Sequence, residues 1–179
     1  MKTATLVLAA ALTLAGGAAG VLVRADDLPL PKRATCPVDI KAFIPNAQSV
    51  YILVNDSPRY LCSSGCRDRL IAWPEKYLKG ETVKCTVQPE FKSHIDLPRR
   101  VEVNNGLYYL CCAPCTEWMR DKPWLYVKEL RDPVSGKTFK IAETSPRAAV
   151  KGQVYVFESA ETKAAFDKEP QKYVIPYRK

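Results

Sequence analysis

Tyr60-Leu61-Cys62-Ser63-Ser64-Gly65-Cys66 is followed 49 residues later by Tyr109-Leu110-Cys111-Cys112-Ala113-Pro114-Cys115, with cysteines four positions apart in both stretches. Each pair has a third cysteine 26 residues upstream of its first member, Cys36 in one case and Cys85 in the other. Val38 and Val87, Pro74 and Pro123, and Tyr77 and Tyr126 recur at the same offset. A fixed offset shared by this many positions marks a tandem repeat.

Working outward, each copy reads as a hairpin feeding a short helix. In the first, Ser49 to Val54 is a β-branched and aromatic run, Asn55-Asp56-Ser57-Pro58 is a turn cluster, and Arg59 to Cys62 is the returning strand. Ser63 or Ser64 caps a helix through Cys66, Leu70 and Ile71, which ends near Trp73 because Pro74 follows. In the second, Val101 to Val103 and Leu107 to Leu110 flank Asn104-Asn105-Gly106, and Asn105-Gly106 is a strong hairpin signal. A helix begins at Ala113 and Pro114, where the missing proline N–H costs nothing, and Trp118 and Met119 are expected to face the hairpin.

A third copy keeps the frame without thiols. Asp132-Pro133-Val134 stands where Cys36-Pro37-Val38 stood, Gln153 to Phe157 is the second strand, and Ser159 caps a helix ended by Pro170. Phe157 and Glu161 are read as occupying the places of the cysteine pair. Tyr60, Tyr109, Tyr155, Trp73, Trp118 and Phe166 are read as core. The expected fold class is α+β, with three tandem hairpin-plus-helix units over residues 36–80, 81–128 and 129–179. Units this small rarely bury enough apolar surface to stand alone, so the cysteines are expected to contribute to the fold.

Residues 1–25 read as an export signal: Lys2, an uncharged run from Ala4 to Val23, then Val23-Arg24-Ala25 at the cleavage position. The competing reading is an uncleaved anchor, since the run is about long enough to span a bilayer. Residues 26–35, with Pro29 and Pro31, read as a tether. Removal of Lys2 and Arg24 leaves 25 basic against 19 acidic residues and lowers the net charge from +8 to +6. The basic residues are spread along the chain, which argues for solubility at an anionic envelope surface and against nucleic-acid binding. The expected location is the periplasm or cell envelope.

Two thiols four apart across a helix start, with a third from a preceding loop, converge as soft ligands. The helix N-terminus favours their charged forms. Three sulfurs suit trigonal Cu(I), whereas Zn(II) calls for a fourth ligand. The metal candidates are Cys36, Cys62 and Cys66 in the first unit, and Cys85, Cys111 and Cys115 in the second. Candidate extra ligands are Asp39, His94, the sole histidine, and Cys112, the odd seventh cysteine.

Two alternatives stand beside metal binding. One is a structural or interaction module of the cell envelope stapled by structural zinc or by disulfides, since export would place the thiols where disulfides form, within or between units. Cys112-Ala113-Pro114-Cys115 is also a C-x-x-C of the kind found in thiol oxidoreductases, though the short helices do not suit a thioredoxin frame. No phosphate loop, nucleophile motif or histidine-based catalytic set is present, so an enzyme is not expected.

Cys36-Pro37-Val38, Tyr60-Leu61-Cys62-x-x-x-Cys66 and Pro74-Glu75-Lys76-Tyr77 resemble the YHS and TRASH families of small metal-binding domains. Asp132-Pro133-Val134-Ser135-Gly136 is similar to the YHS opening with serine in place of its cysteine. The resemblance implies treble-clef-like or zinc-ribbon-like units, ligation by the six cysteines of the two triads, and a role in heavy-metal trafficking, resistance or sensing. The first-to-second cysteine gap is longer than those families usually show, and the first cysteine opens its motif instead of following Asp-Pro-Val. The expectation is an exported protein that carries up to two Zn(II) or Cu(I) ions, for exchange with a metal transporter or acceptor protein.

Overall fold

The computed structural model describes residues 30–46, 48–95 and 99–176. The segment 1–25 read as an export signal lies outside them, as do residues 26–29 of the tether. Ala34 and Thr35, read as tether, instead form β1 (Ala34–Thr35), which pairs antiparallel with β2 (Ala42–Phe43). The hairpin β3 (Val50–Val54) and β4 (Ser57–Leu61) follows, then α1 (Ser64–Ala72) and a single helical turn, α2 (Pro74–Tyr77).

The same order of elements occurs twice more. The pair β5 (Thr82–Lys84) and β6 (Lys92–His94) precedes the hairpin β7 (Arg100–Val103) and β8 (Gly106–Tyr109), α3 (Ala113–Asp121) and a 3-10 turn, Pro123–Leu125. The pair β9 (Glu129–Arg131) and β10 (Thr138–Lys140) precedes the hairpin β11 (Arg147–Val150) and β12 (Gln153–Val156), α4 (Ala160–Lys168) and the turn Pro170–Lys172. The chain is therefore mixed α and β. Among the described residues no helix is long and apolar enough to cross a membrane.

The three hairpins do not stand apart. They join in one six-stranded sheet of order β11-β12-β7-β8-β3-β4. Within each hairpin the strands are antiparallel; at the two joints they are parallel, with Val54 opposite Leu107 and Val103 opposite Val154. So the second strand of each later hairpin lies against the first strand of the hairpin before it.

This arrangement explains why β8 and β12 are buried at every position. Leu107 and Tyr109 complete the first core, with Ile52, Val54, Leu61, Leu70 and Ile71, while Tyr108 and Leu110 point into the second, with Val101, Val103 and Met119. Val154 and Val156 likewise close the second core, and Tyr155 and Phe157 pack with Phe166 in the third. Because neighbouring side chains of a strand leave on opposite faces, α3 lies across the sheet from α1 and α4. A strand buried on both faces reads as an unbroken apolar run, as these do.

Each hairpin turns through two residues with positive φ: Asn55 and Asp56, Asn104 and Asn105, Lys151 and Gly152. The central pair of the second turn is thus Asn104-Asn105 and not Asn105-Gly106. Gly106 is already in β8, where a Cβ would come within 3.1 Å of the Val103 carbonyl and 3.2 Å of the Tyr108 ring. The first asparagine of each of the first two turns also holds a joint. Asn55 Nδ2 donates to the carbonyls of Lys84 and Tyr109, and Asn55 Oδ1 accepts the Tyr109 N–H. Asn104 repeats the set with Arg131, Val156 and the Val156 N–H. At the third turn Lys151 stands in that place, beside the outer strand β11, and the opposite outer strand, β4, contains Pro58. Both are residues that discourage edge pairing.

Trp118 departs from expectation. Met119 is buried beneath the hairpin, but Trp118 is 47% exposed. With Cys115 and Met119, four apart, both turned inward on a nine-residue helix, Trp118 is rotated about 100° from Met119 and leaves the buried face.

Candidate metal centres

The sulfurs of Cys36, Cys62 and Cys66 lie within 4.8 Å of one another, and so do those of Cys85, Cys111 and Cys115. Each triad is assembled from the same three places. Cys36 follows β1, Cys62 follows β4, and Cys66 sits in the first turn of α1, whose N-cap, Ser63, accepts the Cys66 N–H at 3.2 Å. Cys85, Cys111 and Cys115 take the corresponding places around β5, β8 and α3. All seven cysteines are free thiols, with Cys36, Cys66, Cys85 and Cys115 buried, Cys62 exposed, and Cys111 and Cys112 half-buried.

The first sulfur of each triad occupies a nest of backbone donors. Burial pushes the Cys36 thiol up, but the N–H groups of Cys62, Asp39 and Val38 outweigh it and hold the thiol below its ordinary value. Burial opposes in the same way at Cys85, where the N–H groups of Cys111, Gln88 and Val87 prevail. The third unit shows what this nest accepts. Asp132 fills it with a carboxylate that accepts from Val134 N–H (2.8 Å), Ser135 N–H (2.9 Å) and Glu158 N–H (2.9 Å). Its Oδ2 also accepts from the Thr162 hydroxyl at 2.9 Å.

That bond corrects the register read from the sequence. Counted from the helix caps Ser63 and Ser159, the residues at the places of Cys62 and Cys66 are Glu158 and Thr162, one position beyond Phe157 and Glu161. Phe157 instead belongs to the third core. Hence the unit without cysteines closes with an aspartate–threonine hydrogen bond where the others gather sulfur.

The remaining sulfurs differ in character. The Cys66 thiol beside it pushes Cys62 up to about 12. Burial and then Cys85 push Cys111 up to about 11. Burial raises Cys115, helped by Cys112 and Cys111. Cys112 is lowered, first by the N–H of Cys115, which faces its sulfur without completing a cap hydrogen bond, and next by the Cys115 thiol.

Around the triads the two units differ at equivalent positions. In the first, Asp39 Oδ2 accepts from the Cys66 thiol at 3.0 Å and from Cys62 at 3.5 Å, and Arg69 Nη2 donates to Asp39 Oδ1 at 2.9 Å and to Cys66 Sγ at 3.4 Å. The Cys66 hydrogen bond is the largest reason the Asp39 carboxyl lies below its ordinary range. In the second, Gln88 stands 49 residues on, and its Oε1 accepts from Cys115 at 3.2 Å and from Cys111 at 3.4 Å. Gln88 and Arg69 were not singled out from sequence; the repeat offset from Asp39 would have found Gln88. His94 lies on β6 with an exposed side chain and is not gathered with the second triad.

The donor sets fit a soft metal ion. With Zn–S near 2.3 Å, two sulfurs on one tetrahedral ion are roughly 3.8 Å apart. The sulfurs of Cys62 and Cys66 are 3.5 Å apart and those of Cys111 and Cys115 are 3.7 Å apart, so little movement is needed. No family model, curated protein or solved structure matches the chain.

Proposed function

We propose that this chain is an exported metal-binding protein that holds two soft ions, Zn(II) or Cu(I), one in each cysteine triad, for trafficking, buffering or resistance. On this reading Cys36, Cys62 and Cys66 ligate in the first unit and Cys85, Cys111 and Cys115 in the second. The units are three relatives of the YHS and TRASH domains in tandem, of which the third serves as a cap. The observation that carries the reading is the convergence of three sulfurs at matching places in two units, each with one sulfur in an anion-accepting nest.

The triads also have an accessible side. Cys62 and Cys111 are the more open sulfurs of their sets, so an incoming thiolate from an acceptor protein would displace them first. Asp39 is placed to supply a fourth, oxygen donor in the first unit, which would favour Zn(II) there. Native mass spectrometry of the chain purified without chelator tests the proposal: two metal equivalents with free thiols support it, and none sinks it.

A second reading has its own observation. Cys36 and Cys66 belong to the first core and Cys85 and Cys115 to the second, as in sites where metal holds the fold. Competition with a chelator of similar affinity separates the two, since a carrier's ion exchanges while the fold persists.

A further inference from the structure

Cys112 is the N-cap residue of α3. At the same place the other units have Ser63 and Ser159, whose hydroxyls accept the N–H groups of Cys66 and Thr162. Cys112 makes no side-chain cap bond, and sulfur is a weaker acceptor than a hydroxyl. The cysteine therefore serves the helix less well than the serine it stands for. What it supplies is a thiol 3.2 Å from Cys115, closer than Cys111 at 3.7 Å or the Cys62–Cys66 pair at 3.5 Å. It is half-buried, within reach of a small disulfide, whereas its neighbour Cys115 is buried.

We infer that Cys112 and Cys115 form a dithiol–disulfide pair whose oxidation withdraws Cys115 from the second triad. The inference rests on the metal-binding reading of that triad. The oxidant is a disulfide, either a small one or that of a partner protein. The Cys112 thiolate attacks one of its sulfurs, a mixed disulfide forms, and the first thiolate leaves. The sulfur of Cys115 then attacks that of Cys112, the Cys112–Cys115 bond forms, and the second thiolate leaves. Two electrons pass from the cysteines to the oxidant. The released thiolates take up the proton of Cys112 and that of Cys115, or one from solvent where a metal had replaced the latter. Only Cys85 and Cys111 then remain in the second triad. The first has no counterpart to this pair, because Ser63 stands beside it.

The test uses the full chain loaded with Zn(II) under reduction and then treated with oxidised glutathione. Native mass spectrometry is expected to show loss of one of two zinc equivalents, the denatured mass to fall by about two protons, and peptide mapping to join Cys112 to Cys115. Cys112→Ser, which installs the residue used at the other caps, is expected to keep both equivalents. Equal zinc loss in Cys112→Ser, or a disulfide mapped to any other pair, overturns the inference. Failure of the reduced chain to take up zinc would sink the metal reading alone, because mapping the metal-free oxidised chain still decides whether Cys112 and Cys115 pair.

Discussion

The side-chain amide of Asn55 brackets the backbone of Tyr109, accepting its N–H at 2.8 Å and donating to its carbonyl at 2.8 Å. The amide acts as one more peptide group in a parallel ladder that otherwise has a single paired register. Asn55→Gly keeps the positive φ and removes the clamp together with the hydrogen bond to the Lys84 carbonyl. It is expected to cost about 3 kcal/mol, given net hydrogen-bond contributions near 1 kcal/mol each. Urea unfolding of the variant checks this, and an unchanged midpoint would show that the joint is held by burial alone.

Asp132, Glu158 and Thr162 occupy in the third unit the places that cysteines hold in the others. The triple change Asp132→Cys, Glu158→Cys and Thr162→Cys is expected to raise the metal count from two to three, read by native mass spectrometry. Asp132→Asn alone is expected to lose about 1–3 kcal/mol of stability, because its amide turns a donor toward partners that need an acceptor. A triple variant that folds and still binds two ions would mean that the triads need more than their three positions.

Metal binding at both sites is expected to weaken in acid. The Cys62 and Cys111 thiols lie at about 12 and about 11, so each keeps its proton at neutral pH and must release it to an incoming metal. Apparent affinity then falls roughly tenfold for each proton released as the pH drops by one unit. A competition titration from pH 8 to pH 6 measures the slope, and a flat profile would exclude these two sulfurs as ligands.

Arg100 is expected to be a point of failure for the joined sheet. Its guanidinium bridges Glu75 at 2.7 Å and Glu102 at 2.9 Å, and Glu102 in turn accepts from Gln153, so one polar chain crosses all three units. The side chains of Arg100 and Glu102 are only 11% and 5% exposed. Arg100→Met would leave Glu102 buried without its cation and is expected to cost about 3–5 kcal/mol. Pairing it with Glu102→Leu should recover much of that loss in the same unfolding measurement.

Local features were legible in the sequence because they depend on neighbours in the chain. Ser63 and Ser159 cap their helices, and the helices stop before Pro74 and Pro170, as read. The Asn104 turn was found but displaced by one residue, since the sequence gives no sign that Gly106 is needed for a close approach inside a strand. The order of hairpins in the sheet was not legible, because it rests on the contacts of Val54 with Leu107 and Val103 with Val154, far apart in sequence. The six triad cysteines could be grouped from spacing alone. Asp39 could be weighed as a donor, but its partner Arg69 emerges only when helix and loop are folded together.

Lys151 sets the third turn apart from the other two. An asparagine there could hold a further hairpin as Asn55 and Asn104 hold theirs, but a lysine ammonium has no acceptor with which to take a backbone N–H. A further hairpin, whether from gene duplication or from another molecule, would therefore meet at β11 an edge that offers backbone pairing without this side-chain clamp.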